Sequence, residues 1–223
     1  MDSPLDTPEV YTVVRATWLS RRPSASAQVT TALSLLALVL GCMLYWSKAM
    51  QPLDLMAATR DAVFGRGEIW RLWTTLFAHA DLGHLLSNSF MFFILGYALV
   101  AYFGAQVFPF TALFFGGVTN AFSLLTYPGH VNLIGASGVV SWMGGAWLAL
   151  YFLLNTRVSR SGRTLRSIGV ALMLFAPAEA FDPKISYRTH LIGFTLGVAW
   201  AFWYYWWRRQ EFRAAEIRET IVD

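Results

Sequence analysis

Four residues in this chain are of types that together could open an amide bond: Ser137, His190, His84 and Asn88. Ser137 lies in Gly135-Ala136-Ser137-Gly138, between a loop of Pro, Gly, His and Asn (Pro128 to Ile134) and the apolar run Val139 to Leu154. That pattern predicts a serine in the first turn of a helix. There the backbone N–H groups lack intrahelical acceptors, and the helix end carries partial positive charge. A hydroxyl so placed can attack a carbonyl while its own N–H holds the resulting oxyanion. Flanking glycines let backbone and substrate approach closely. Small residues are also common where membrane helices touch. The full Gly-x-Ser-x-Gly elbow of soluble hydrolases is absent, because Val139 occupies its last position.

A serine hydroxyl is a poor nucleophile until a base takes its proton. His190 suits that task, since imidazole ordinarily titrates at about pH 6.5. His84 and Asn88 are four residues apart and share one helix face. Donors aimed at one point from that face, with the Ser137 N–H, would form an oxyanion hole. The plainer reading of these residues is a set of polar ties between helices. Glu179 and Asp182 lie near the turn before His190, but no spacing fixes either on it, so the pattern reads as a Ser–His dyad. His79 and His84 are not the His-Glu-x-x-His metal motif and lack its glutamate, so no metal is expected. A haem held by His84 and His190 would leave Gly-Ala-Ser-Gly without a role, so no cofactor is expected either. His130 reads as a solvated loop residue, and Cys42 as a small buried hydrophobe.

The elements that must carry these residues are apolar. The chain is 223 residues long, 56% hydrophobic and only 13% charged. A soluble domain carries about a quarter charged residues, so the class is an all-α, multi-pass membrane protein. Six spans are predicted: 28–47, 84–103, 108–127, 137–154, 167–181 (short, with Pro177) and 190–207. The organisation is then a polar N-terminal arm (1–27), a six-helix core (28–207) and a charged tail (208–223) that could form a helix. The segment 48–82 is expected to lie at the interface, with its Trp70-Arg71-Leu72-Trp73 cluster at headgroup level. Residues 155–166 read as a basic loop. Met1 to Ser20 does not read as a signal peptide.

Eleven of the 17 Lys and Arg residues fall in the arm, the 155–166 loop and the tail. That bias predicts both termini in the cytoplasm. It also explains the net charge of +4 without nucleic acid as a partner. Spans two, four and six then run the same way, so His84, Asn88, Ser137 and His190 all fall in first turns near the outer face. Polar groups in a membrane are costly and usually functional. Ser137, Ser141, Gly144 and Gly145 share one face, as do His190, Gly193 and Gly197. Two such small-residue stripes let parallel helices approach closely and bring Ser137 beside His190.

These residues resemble the rhomboid intramembrane serine proteases. Trp70-Arg71 with His79, His84 and Asn88 looks like the family's first loop and second helix. Gly135-Ala136-Ser137-Gly138 looks like its nucleophile motif, and His190-Leu191-Ile192-Gly193 with Gly197 like its base motif. The resemblance implies a six-helix rhomboid-like bundle with Ser137 as nucleophile and His190 as general base. It implies His84, Asn88 and the Ser137 N–H as oxyanion donors, with Gly135, Gly138, Gly193 and Gly197 in close packing. His79 would tie the first loop to the core, and Arg71 and Glu68 would brace that loop beside Trp70. Expected partners are the lipid bilayer and single-pass transmembrane proteins, cut near their outer boundary. A bacterial inner membrane is the expected location, with the site facing the periplasm or exterior. Family members often carry a tyrosine four residues after the serine, packed on the base histidine. Ser141 stands there here, which leaves open how the His190 ring is held. The fifth span is expected to move aside for substrate. The alternative is a catalytically silent relative that binds membrane clients.

Overall fold

The computed structural model describes residues 10–47, 55–175 and 186–222. The described chain runs β1 (Val10–Ala16), α1 (Ala27–Trp46), α2 (Arg71–Thr74), α3 (Leu82–Phe103), α4 (Ala112–Leu125), α5 (Ser137–Leu154), α6 (Arg160–Phe175), α7 (Tyr187–Trp207), α8 (Arg209–Ala214) and β2 (Ile217–Val222). Among the described residues, four helical stretches are long and apolar enough to cross a membrane: Ala27–Trp46, Leu82–Phe103, Gln106–Leu125 and Ser137–Leu154. Twenty helical residues span about 30 Å, the thickness of the hydrocarbon layer. α7 is 21 residues long. Its apolarity is diluted by Arg188, His190 and a tryptophan-rich second half. The helices turn large apolar side chains outward: on α1, Val29, Leu33, Leu36, Leu40 and Met43 form an exposed stripe. In water such a stripe would be a liability; in lipid it is the required surface. The chain is therefore a mostly helical, multi-pass membrane protein.

α5 is the central helix, and its closest partner is α7. A Cβ added at Gly193 would land on the carbonyl oxygen of Gly138; one at Gly197 would land on that of Trp142; one at Gly145 would land on that of Phe194. Only hydrogen fits between these backbones. Further along, Trp142 stacks on Phe115 of α4 and meets Trp200 of α7 at a tilt, with ring centroids 5.2 and 5.0 Å away. α3 closes the other side of α5, ending at Gly104, whose φ of 85° suits a glycine and stops the helix.

The ends of the chain differ from what the sequence suggests. The tail is half helix and half strand, and the polar arm supplies the strand that pairs with it. β1 and β2 form a two-stranded antiparallel ribbon with Val10 opposite Val222 and Val14 opposite Arg218. β-Branched residues concentrate in both strands, which is the local reason they extend. Trp18, just after β1, donates its indole N–H to Tyr102 O at 2.8 Å and meets Phe212 edge-on at 4.9 Å. Both ends of the chain therefore meet at the end of the bundle where α3 finishes.

Two element boundaries also move. Regular helix in the third span begins at Ala112, because Phe108 is extended (φ −136°, ψ 125°) within the wide turn Gln106–Thr111. α6 begins at Arg160, inside the stretch read as a basic loop. Its arginines reach back to the end of α5: Arg163 bonds Phe152 O, and Arg166 donates to the Tyr151 hydroxyl at 3.2 Å. Long basic stems of this kind keep their heads polar while the helix continues. The end of the predicted fifth span, with Pro177, Glu179 and Asp182, lies outside the described residues.

The α5–α7 contact makes a direct prediction. Gly197→Ala must push backbone against backbone, so it should destabilise the fold by about 1–3 kcal/mol. Gly169→Ala on α6, where an added Cβ meets nothing within 4 Å, should be neutral or stabilising by up to about 1 kcal/mol. Thermal unfolding in detergent measures both.

Candidate active site

Three helix starts meet at one place. The first turn of α3 carries His84 and, one turn on, Asn88. The first residue of α5 is Ser137. The first turn of α7 carries Thr189 and His190. Gly135, at φ 109°, is where they converge. A Cβ there would lie 2.7 Å from His84 Cε1, 2.8 Å from Nε2 and 3.7 Å from Asn88 Nδ2. Both the positive φ and the space demand glycine. Gly138, one residue after Ser137, faces Thr189, whose Cγ2 would be 3.0 Å from an added Cβ. Ser137 and His190 thus each lie one residue from a touching pair, Gly138 and the Thr189 methyl. No hydrogen bond joins their side chains among the described residues. Such bonds often tighten only when substrate is bound.

The α3 start is fixed by its cap. Asp81, extended at φ −153°, accepts a hydrogen bond from the His84 N–H at 2.8 Å. That cap sets the phase of the helix and so the direction of His84 and Asn88. His84, Ser137 and His190 are half-buried, while Asn88 is 7% exposed. The Asn88 side-chain nitrogen is buried and has no hydrogen-bond partner among the described residues. α5 has no side-chain cap, since its N-cap residue is Ala136. Its first N–H groups, Ser137's among them, are therefore not used by a capping side chain.

The loop before Ser137 is held from beneath by the segment between α1 and α3. Gly135 N–H donates to Thr75 O at 3.0 Å, and the Thr75 hydroxyl bonds Leu133 O. Ala58 and Leu133 exchange two backbone bonds of 3.1 and 2.8 Å. His79 is fully buried. Its Nδ1 lies 3.3 Å from Phe77 O, and its Nε2 accepts the Ala136 N–H at 3.4 Å. Only a neutral imidazole with the proton on Nδ1 satisfies both. Burial pushes its pKa down to about 4, with the neighbouring His84 ring, 5.0 Å away, as the second cause.

Arg71 is buried, donating to Ala57 O at 2.6 Å and pairing with Glu68. Glu68 also takes Arg66 at 2.8 Å, and the two guanidiniums hold its carboxyl below the usual range. Trp70 is 50% exposed and holds the turn through its carbonyl, which accepts from Trp73 and Thr74. The inward tryptophan is Trp73, lying over Gly117 of α4.

The structure brings in residues that sequence reasoning passed over. Asn120 donates to Leu72 O at 2.8 Å and has its Oδ1 facing Gly138. Thr119 packs its methyl against Gly138 and Gly193. Two adjacent polar residues inside an apolar span were the available signal. Tyr127 bonds the Ser186 hydroxyl at 2.6 Å, and Arg188 donates to Thr126 O at 2.8 Å, so the end of α4 holds the start of α7. The Tyr187 ring meets that of His190 edge-on, with centroids 6.3 Å apart. Ser141 instead sits against Gly193.

His79 carries a pH prediction. Its folded pKa lies below the ordinary value, so folding excludes a proton that the unfolded chain binds. The stability it confers is complete above about pH 6.5 and is lost as pH falls toward 4, on the order of 3 kcal/mol across that window. His79→Gln should flatten this part of the dependence of Tm on pH. An unchanged slope between pH 7 and 4.5 would show that another group is responsible.

The chain as a whole is similar to known proteins. The chain is 28% identical over 164 residues to YdcA of Bacillus subtilis (strain 168), which carries a rhomboid protease name; the match covers 70% of this chain and 81% of that one. It is 26% identical over 182 residues to rhomboid-like protease 3 of Toxoplasma gondii, covering 78% of this chain and 67% of the relative. The rhomboid domain family model matches residues 66–207, from the loop before Arg71 to the end of α7. This chain belongs to the rhomboid family.

Proposed function

We propose that the protein is an intramembrane serine endopeptidase that cuts single-pass membrane proteins near the outer face of the bilayer. Ser137 is the nucleophile and His190 the general base. Ser137 Oγ attacks the scissile carbonyl carbon as its proton passes to His190. The carbonyl oxygen becomes an oxyanion held by the Ser137 N–H, His84 and Asn88. When the intermediate collapses, the C–N bond breaks and His190 returns the proton to the departing amine. Water, deprotonated by His190, then releases the acyl fragment from Ser137.

The observation that carries this reading is the Asn88 amide. It is a buried donor without a partner, beside the turn that leads into Ser137. A structural asparagine would be expected to make its bonds. A donor reserved for a charge that exists only in the transition state has none in the resting protein.

In this reading six helices cross the membrane (α1, α3, the stretch Gln106–Leu125, α5, α6 and α7), and both termini are cytoplasmic. The paired ends support an even number of crossings, and the excess of basic residues at that end supports its placement inside. The site then opens toward the periplasm or exterior of a bacterial inner membrane. A substrate helix must unwind before its carbonyls are accessible, so Gly or Pro near the cut should help. α6 packs mainly on α5, which suits it to move aside.

Turnover of a single-pass reporter, normalised to folded protein, tests the dyad. Ser137→Ala and His190→Ala should abolish cleavage. Asn88→Ala should reduce it by about ten- to a hundredfold, less than the loss of a sole donor, and His84→Ala by more. If Ser137→Ala still cleaves at the wild-type rate, the dyad is wrong. If wild type binds reporters and never cuts them, the protein is a silent client binder.

Tyr187 takes the place of the absent tyrosine as the ring that steadies His190. An edge-on aromatic contact is worth about 0.5–1.5 kcal/mol, or roughly two- to tenfold in rate. Tyr187→Leu should lower kcat by that factor and leave KM unchanged, while Tyr187→Phe restores it. Equal loss in both variants would assign the role to the hydroxyl.

A further inference from the structure

A cavity of about 190 Å³ lies between α1, α3, α4 and α5, apart from the groups assigned to catalysis. Phe92 of α3, Phe108 of the turn Gln106–Thr111 and Ala112 at the start of α4 form its inner wall. Leu76, Ala136 and Val139 close its far end, so the cavity backs onto the turn that carries Ser137. Ala37 of α1 and Leu113 of α4, both exposed, stand at its rim. α1 touches the turn Gln106–Thr111 that precedes α4, and the cavity lies beside that contact.

The lining excludes most occupants. Its one hydroxyl, Ser34, already donates to Thr30 O at 2.8 Å. A water would need at least two polar partners, and a charged or polar ligand would be stripped of its own. A substrate helix, about 10–12 Å across, is far too wide. The volume is close to that of an engineered apolar cavity of about 150 Å³ that takes benzene. Depth narrows the choice further. Ala37 lies midway along Ala27–Trp46, about 15 Å from either end at 1.5 Å per residue. That is the middle of a hydrocarbon layer about 30 Å thick, where the methyl ends of lipid chains lie.

We infer that this cavity takes the terminal segment of one acyl chain of a bilayer lipid, entering between α1 and α4 and resting against the turn before Ser137. No hydrophobic gain drives entry, since bulk lipid is equally apolar. The gain is in the close contacts that an empty void denies its walls. Leu76 and Val139 already press on Gly116 of α4, where an added Cβ would meet them at 3.0 and 3.2 Å. An occupied cavity therefore braces the segment before α3 against α4 and α5. The inference needs the bilayer but not the protease reading, and its test reads binding alone.

The full chain is reconstituted in phosphatidylcholine vesicles with a trace of phosphatidylcholine carrying a diazirine near the methyl end of one chain. After irradiation, adducts are mapped by mass spectrometry. Adducts are expected on the buried Phe92, Phe108 and Val139, as well as on exposed Leu33 and Leu40. A probe with its diazirine near the glycerol should spare the three buried residues. Ala37→Trp, which plugs the rim, should lose the buried adducts and keep the exposed ones. If that variant does not fold, Ser34→Leu narrows the same space and is read in the same way. The inference is overturned if the buried residues stay unlabelled in the wild type. It is equally overturned if they are labelled by the glycerol-end probe, or undiminished in the plugged variant.

Discussion

The contact on which the rest of the molecule depends is the bare backbone crossing of α5 and α7. Between helices in lipid there is no hydrophobic drive, because the tails are as apolar as the side chains they would replace. Association then rests on how many atoms can touch, and glycine lets whole backbones touch. Gly138, Gly193, Gly145 and Gly197 interlock over about two turns of α5, each opposite a carbonyl of the other helix or supplying one. At these glycines no side chain of their own separates the backbones, so the approach is set by main-chain atoms. Ser137 and His190 stand at the end of this zone, so their separation is set by backbone positions rather than by flexible side chains.

A second set of bonds fixes the turn that enters α5. Gly135 cannot leave its positive φ without losing the Thr75 carbonyl, and Ala136 is bonded to a neutral His79. His79 is joined in turn to Phe77 and, through its own carbonyl, to the Trp46 indole at 2.7 Å. A chain of backbone and ring bonds thus runs from the end of α1, through the segment before α3, to the residue before Ser137. Arg71 and Glu68 act one layer further out, closing the same segment onto Ala57. The two networks are orthogonal in function: glycines set the distance between α5 and α7, and the loop bonds set the direction in which α5 begins.

Much of this was legible in the sequence where one physical rule governed. Apolar length marked α1, α3 and α5, and the fourth span begins and ends at the predicted residues, Ser137 and Leu154. The i, i+3, i+7 spacing of His190, Gly193 and Gly197 announced one packed face. Legibility failed where two rules compete. Arg160 to Arg166 is charged enough for a loop, yet long side chains let it be helix. The tail has the charges of a helix, yet Ile217 to Val222 pairs with a strand more than two hundred residues away, and no local pattern reports such a partner. Tyr187 and Asn120 were missed because their roles arise only from contacts between elements.

The unbonded polar atoms show where the fold tolerates a cost. The Trp142 indole nitrogen is buried without a partner among the described residues, but its ring stacks on Phe115 and meets Trp200 at a tilt, and those contacts offset the loss. The Thr119 hydroxyl is unbonded too, but its methyl fills the junction of Gly138 and Gly193. Asn88 has no such second use: an unmet buried amide costs about 1–3 kcal/mol, and a leucine would pack an α3 face more cheaply. Stability alone therefore does not account for an asparagine there. Under the proposed mechanism its partner would be the transition-state charge, which is absent from the resting structure in which the cost is read.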